Sequence, residues 1–434
     1  MFRKYITIHL SLAATCLCAS APVSPTTKIT LEEAQALALK NHPQVMEARG
    51  RVLIANQQVI ENRAAYYPSI AADVTAGQGN VNARIGAGFF TTSRLFNRFG
   101  QGLTLNQLIT DSGRTPNLVA SSRLQAESSE QNYQATKDDV MLAVNQAYFG
   151  VLRARALVRV AEKTLAARQL LSDQVAALAK ANLKSQLDVS FADVNLADAR
   201  LLLLRAQDNV EQANAELSRA LGTDRDVNYD PVEEPQPASP PSSAEELTAQ
   251  AIKSRPELAS LRLSVQSANR FYDAEKDLKR PSVTMLAVGG GLPLVNQLGS
   301  TPIAPEYEGV VVNVQVPVFN GRLFSARAEA ARIQVTAAEQ RLRDEQLRIT
   351  RDVRVAWSNA VTAYLRLDVT AQYLREASLA QSLAQGRYNL GLSSIIELSQ
   401  AQLSVTSAEI ENLSAKYDYQ TLYAVLQHAA GLLK

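Results

Sequence analysis

The chain has 434 residues, 46% of them apolar but only 6% aromatic, and a formal net charge of +2. Much of the apolar content is Ala and Leu, which suits long packed helices better than a thick aromatic core. So near-neutral a balance gives no electrostatic reason to expect nucleic acid as a partner.

At the N-terminus, Phe2, Arg3 and Lys4 form a positive region, Tyr5 to Ala14 is short and mostly apolar, and Ala19, Ser20 and Ala21 are small. Residues 1–21 read as a secretory signal, too short for a membrane-spanning helix. Both cysteines, Cys16 and Cys18, lie in it. Cleavage near Ser20 leaves a mature chain without a disulfide or a cysteine metal site. In a lipoprotein one of the two would be acylated, but Ala13-Ala14-Thr15 before Cys16 is a poor match to the usual Leu-small-small pattern. No other stretch approaches the roughly 18 apolar residues of a transmembrane helix. An exported chain of this kind can span a membrane only as a β-barrel.

Landmarks then recur in order. Thr30-Leu31-Glu32-Glu33 opens a helix as a capping box, and Ser243-Ala244-Glu245-Glu246 does so 213 residues later. Pro43 recurs as Pro256, and Pro68-Ser69-Ile70 as Pro281-Ser282-Val283, at that same offset. Gly113-Arg114 matches Gly321-Arg322, Asp188-Val189 matches Glu397-Leu398, and Leu221-Gly222 matches Ala430-Gly431, at 208 or 209. The chain reads as two tandem copies, a first repeat within 22–222 and a second within 243–434. Between them, 223–242 holds five of the sixteen prolines and reads as an extended linker that stops both flanking helices.

In chain order, each copy predicts a helix (31–65; 244–278) and a strand after the Pro-Ser step (69–78; 282–290). A second strand (101–109; 306–318), a very long helix (116–180; 322–388) and a last helix (186–221; 394–430) follow. The hairpins span 69–109 and 282–318. From Asn117 to Leu221 there is no proline and one glycine, Gly150, and after Pro317 there is no proline. A 65-residue helix spans roughly 100 Å, so it must pack sideways along its length. Val194, Ala197, Leu201 and Leu204 have the spacing of a coiled-coil seam, and Val353, Trp357, Ala360 and Tyr364 form a helical stripe in the second copy.

The helices alone also fit an exported coiled-coil rod without a pore, but the strands speak against it. Val310, Val312, Val314, Val316 and Val318 share one face, opposite Val311, Asn313, Gln315 and Pro317. Ile70, Ala72, Val74 and Ala76 alternate with Ala71, Asp73, Thr75 and Gly77. These are membrane-strand lengths with an apolar face outward. Four strands per chain cannot close a barrel, so several chains must share one.

Several pieces in this order resemble the TolC-like outer-membrane efflux proteins across the whole mature chain. They are Leu31-Glu32-Glu33-Ala34 with Asn41-His42-Pro43, and Tyr66-Tyr67-Pro68-Ser69-Ile70. Ala147-Tyr148-Phe149 with Val151-Leu152, Pro317-Val318-Phe319-Asn320-Gly321, and Arg387-Tyr388-Asn389-Leu390-Gly391 with Ser394 complete the set. The resemblance implies a mixed, mostly α fold of two tandem structural repeats. It implies a homotrimer with a twelve-stranded barrel in outer-membrane lipid, a long periplasmic α-helical barrel and an equatorial belt from the linker. Its partners would be a periplasmic adaptor and an inner-membrane pump.

The resemblance also places a site. The helix breaks at Asn182-Leu183 and Leu390-Gly391-Leu392 would be periplasmic tips that dock the adaptor, with Gly391 and Asn182 suited to left-handed caps. Asn182 departs from the glycine common there in the family. Glu397 and Asp188, just beyond the breaks, would ring the closed pore, with Gln400 where some relatives carry a second acid. The residues themselves allow another role for Glu397 and Asp188, as acids meeting a helix dipole. Ser393 stands where some relatives carry a basic latch, so no latch is carried over.

The chemistry-bearing residues show no enzyme. His9, His42 and His428 form no HExxH and no metal cluster, and His42 reads as a capping or surface residue. Gly289-Gly290-Gly291 lacks the Lys of a phosphate loop and reads as a strand bend or end. No catalytic constellation and no cofactor motif are present.

Overall fold

The computed structural model describes residues 27–78, 98–223, 229–295 and 306–433, so the signal segment 1–21 lies outside the described residues. The first half runs β1 (Thr27–Ile29), α1 (Leu31–Asn41), α2 (Pro43–Arg63), β2 (Ser69–Gly77), β3 (Arg98–Thr110), α3 (Arg114–Lys180) and α4 (Gln186–Leu221). After β4 (Tyr229–Pro231), the second half runs α5 (Ala244–Ser254), α6 (Pro256–Asp277), β5 (Ser282–Val295), β6 (Glu306–Gln315), α7 (Leu323–Asn389) and α8 (Ile395–Ala429). Among the described residues no helix is long and apolar enough to cross a membrane.

The helix expected over 31–65 is two helices, and so is the one expected over 244–278. The breaks fall at His42 and Arg255, both at φ −67 and ψ 126. Each precedes a proline, whose ring excludes the helical conformation from the residue before it. The proline then sits at the first position of the next helix, where its missing N–H is harmless. His42 is buried and caps α2, its Nδ1 accepting the Gln44 N–H at 3.3 Å. That burial holds its imidazole below the ordinary histidine range.

α3 and α7 have 67 residues each, about 100 Å of rod. α4 folds back along α3, α8 along α7, and α6 lies between α3 and α7. The contacts of α4 differ from the expected seam. Its buried stripe is Ala192, Leu196, Ala199 and Ala206, while Val194, Leu201 and Leu204 are exposed. Small side chains let α4 approach α3 closely, which turns the bulkier apolar stripe outward. In α7, Val353 and Ala360 are buried as the stripe requires, and Tyr364 lies at its exposed edge.

From Tyr229 onward the proline-rich joint is a strap laid against the helices. β4 pairs in parallel with β1, Tyr229 opposite Thr27. Beyond it the backbone carbonyls have few partners of their own, and helix side chains supply donors. The Tyr148 hydroxyl lies 2.7 Å from the Val232 carbonyl, Gln420 Nε2 donates to Glu234 at 3.0 Å, and Trp357 Nε1 donates to Pro241 at 2.8 Å. Tyr419 reaches the Ala238 carbonyl, and Arg155 pairs with Asp230. Burial pushes the Tyr148 phenol to about 12, so it remains a donor. It stands at the centre of the main core, with Ala34, Ala38, Val144, Leu217 and Leu221.

The four long strands form one antiparallel sheet in the order β2-β3-β5-β6, the two hairpins joined through β3 and β5. Their registers put Ile70, Ala72 and Val74 on the same side as Leu103, Leu105, Val283, Met285, Val310, Val312 and Val314. Ser69, Asp73, Thr104, Asn106, Thr284, Asn313 and Gln315 share the other side, where the Thr104 hydroxyl donates to Asp73 at 3.2 Å. β6 ends at Gln315 and leaves Val316 and Val318 outside the sheet, because Pro317 has no N–H for a ladder. The glycines at 289–291 do not end β5, which continues to Val295, but its register against β3 shifts directly beyond them, between Gly291 and Leu294. Gly290 pairs with Gly102 on one side and Tyr307 on the other, and a Cβ on either glycine would strike the Tyr307 hydroxyl. Glycine there clears the sheet face for a tyrosine ring.

Candidate gate at the helical tips

At the far end from the sheet, α3 turns into α4 and α7 into α8 by the same device. Asn182 N–H reaches Ala179 O at 2.9 Å and Leu183 N–H reaches Leu178 O at 2.9 Å, with Asn182 at φ 59. Gly391 N–H reaches Tyr388 O at 3.0 Å and Leu392 N–H reaches Arg387 O at 2.8 Å, with Gly391 at φ 73. Both are paired closures of the helix C-terminus around a left-handed residue. Asparagine tolerates that conformation nearly as well as glycine, so the first tip keeps the geometry without the glycine.

Each return helix starts on a serine. Ser185 Oγ accepts the Asp188 N–H at 3.1 Å, and Ser394 Oγ accepts the Glu397 N–H at 3.3 Å. From there the two acids diverge. Asp188 folds back to accept the Ser185 N–H at 2.9 Å and its hydroxyl at 2.8 Å, completing a capping box. Those hydrogen bonds hold its carboxyl below the usual carboxylate range. Glu397 crosses its turn to Arg387, Nε to Oε1 at 3.1 Å. Gln400 is exposed three residues further along α8.

The two tips pack together. Leu171 and Val175 of α3, Ala192 of α4, Ala384 and Tyr388 of α7, and Ile395 and Leu398 of α8 form one buried cluster. Lys184 of the first turn lies over the Tyr388 ring, 4.3 Å from its centroid. What the tips leave uncovered is apolar. Leu183 is 70% exposed, Leu390 76% and Leu392 66%, and Leu187 and Ile396 extend the patch along the return helices.

Above this cluster lies a polar layer that sequence reasoning did not find. Arg168 of α3 is buried and donates to Gln402 of α8. Ser172 pairs with Asp193 at 2.8 Å, and Asn195 with Ser399 at 3.0 Å. Burial lowers the Arg168 guanidinium from its ordinary range, against the pull of Asp198. Arg387, Lys184, Leu187 and Ile396 were also missed. The only signal for Arg387 was its place in the Arg387-Tyr388-Asn389-Leu390-Gly391 motif; nothing in helical periodicity aims a side chain across a turn.

Comparison with known proteins accords with this architecture. The family model described as "Outer membrane efflux protein" matches twice, over residues 35–223 and 247–432. The outer membrane efflux protein BepC of Brucella suis is 23% identical over 99% of this chain and 90% of its own length. Protein CyaE of Bordetella pertussis is 26% identical over 93% of this chain and 84% of its own length. The crystal structure of the Campylobacter jejuni CmeC outer membrane channel superposes with a TM-score of 0.80 at 18% identity, covering 93% of this chain and 86% of that one.

Proposed function

Since the chain belongs to the outer membrane efflux protein family, it serves as an outer-membrane exit channel, and we propose that three copies share one barrel to form it. The observation that carries the proposal is the open four-stranded sheet, one side of which is apolar apart from Gln101, Gln107, Glu306 and Glu308, with β2 and β6 as free edges. An open edge is untenable in lipid, because every backbone group there must be satisfied internally. Three copies supply twelve strands and close the sheet on itself, apolar side outward toward lipid. The long helices continue the duct through the periplasm, and cargo moves through it passively. An exported rod without a pore has no use for such a sheet.

The tips are the periplasmic end in this reading. Three copies of Glu397, with Asp188 and Gln400 nearby, line the constriction and favour cations over anions. The exposed Leu183, Leu390 and Leu392 beside Asn182 and Gly391 are the surface that a periplasmic adaptor covers, which joins the channel to an inner-membrane pump. Cell fractionation with mass measurement in detergent tests the reading. The protein should sediment with outer membranes and have the mass of three chains. A soluble monomer with full helicity would overturn it.

A further inference from the structure

Next to the sheet, four helices stand side by side in one layer. α2 packs on α3, α3 on α6 and α6 on α7, so the layer has two faces. One groove of about 980 Å³ is lined from all four helices at once, through Ile54 of α2, Gln125 of α3, Phe271 of α6 and Arg341 of α7. A single layer can enclose a groove between its first and last helices only by curving around it, so this face is the concave one. The sheet points to the same side. Arg114 lines a hollow together with Ser282 and Gln315, which pair on the polar side of the sheet. Arg114, Leu118, Ser121 and Gln125 follow one stripe of α3. The groove therefore continues the polar side of the sheet, which faces the lumen in the proposed barrel.

The two faces differ in charge. On the other face of α3 and α6, a groove is lined by Arg123, Glu127, Arg270 and Asp273, with both signs present. The concave groove has no acid in its lining, and its ionised side chains are Arg51 and Arg341. Arg51 is matched by Glu47 at 2.7 Å. Among the described residues no acid pairs with Arg341, and Glu345, one turn further along α7, is taken by Arg348 at 2.6 Å. The wall around Arg341 offers uncharged amides and hydroxyls, from Gln58, Gln125, Ser264 and Gln334. Beside them the groove has an apolar part from Ile54, Leu118, Ala268, Phe271 and Ala338. Ile54 is 70% exposed there.

We infer that this groove is a binding site for organic anions that carry an apolar ring system, with Arg341 taking the acidic group and Phe271 and Ile54 the rings. The inference rests on the exit-channel reading above and adds a cargo class to it. A guanidinium presents paired N–H donors that match a planar acidic group, and an aromatic ring gains by leaving water for apolar side chains. An organic cation would meet an unopposed like charge, and a neutral ring would forgo the ion pair. Arg341 and Asn389 lie on the same helix, α7, about 70 Å apart along its axis. That is several screening lengths at physiological salt, so the groove acts independently of the tips. The Glu397 carboxylate at the tip is paired with Arg387, which weakens its repulsion of an anionic cargo.

Equilibrium dialysis of naphthalenesulfonate against the purified protein in non-ionic detergent tests the site, with partition into detergent alone subtracted. The parent should bind the sulfonate and bind naphthylmethylammonium more weakly. Arg341→Gln should weaken sulfonate binding by about fivefold, the upper end for an exposed ion pair, while Arg341→Lys keeps most of it. Arg123→Gln removes the same charge from the other face and should leave binding unchanged. Equal binding of the sulfonate and the ammonium, or equal binding by the parent and Arg341→Gln, would overturn the inference. Single-channel recording separates the site from the channel. The sulfonate should block the parent's current in proportion to its binding, and block should weaken with binding in Arg341→Gln. A protein that binds the sulfonate but carries no current keeps the site and loses the exit-channel reading. One that conducts and binds no sulfonate loses the site alone.

Discussion

Arg387 and Glu397 meet across the second tip, Nε to Oε1 at 3.1 Å, with the whole turn between them. No such pair forms at the first tip, where Leu178 holds the position matching Arg387 and Asp188 is engaged by Ser185. In the proposed trimer each carboxylate of the acidic ring would therefore carry its own Arg387. Both side chains are about half exposed, so each pair contributes only about 0–1 kcal/mol to stability. Its consequence is electrostatic.

Glu397→Gln should lower cation selectivity, because it leaves Arg387 unopposed at the constriction. Arg387→Gln should raise it by freeing the carboxylate. Reversal potentials across a salt gradient measure both, and trimer yield should change in neither. Equal and unchanged potentials in the two variants would return Glu397 to a helix-start acid.

Asp188→Asn should alter selectivity less and the first tip's stability more, since its carboxylate serves the capping box. The sign follows from its lowered pKa. A carboxyl held below its unfolded value of about 3.9 stabilises fully above that pH and loses the effect as pH falls through the folded value. Amide-exchange protection over 185–189, corrected for intrinsic rates, should therefore separate parent from variant at neutral pH and converge as the pH falls through the lowered folded value.

Gln402→Leu strands the buried Arg168 guanidinium and should destabilise the packed long helices by about 1–3 kcal/mol, or more for a charged donor. Adding Arg168→Met should recover much of the loss, because a buried charged group is often replaced by an apolar one of similar volume without penalty. Thermal unfolding followed by helical circular dichroism measures both. A double variant no better than the single one would show that Arg168 has partners beyond Gln402.

Val314→Arg, on the apolar side of β6, should impair barrel insertion by roughly 2–4 kcal/mol per chain near the membrane midplane. Asn313→Arg, one residue away on the polar side, should be tolerated. Folding yield in detergent compares them, and equal yields would contradict the assignment of lipid and lumen faces.

What the sequence made legible follows from what each signal encodes. Prolines and caps punctuate the chain, so the starts of α1 and α5 were readable from Thr30 and Ser243, and the order of elements from the recurring landmarks. The breaks at His42 and Arg255 were equally local, each a residue before proline. Partnership was not local. Val194, Leu201 and Leu204 have coiled-coil spacing, yet α3 packs on the alanine stripe beside them, and periodicity alone does not say which of two stripes a neighbour takes. At the tips, the family resemblance located Asn182 and Gly391, while the reach of Arg387 to Glu397 and of Lys184 to Tyr388 depends on how two turns lie against each other.

Single-channel recording of the purified protein in a planar lipid bilayer tests the central claim most directly. The account predicts discrete, long-lived current steps that favour cations, and that Glu397→Gln conducts with reduced cation preference. A protein of native helicity and trimeric mass that produces no current steps, from either side of the bilayer and at any applied voltage, would contradict it.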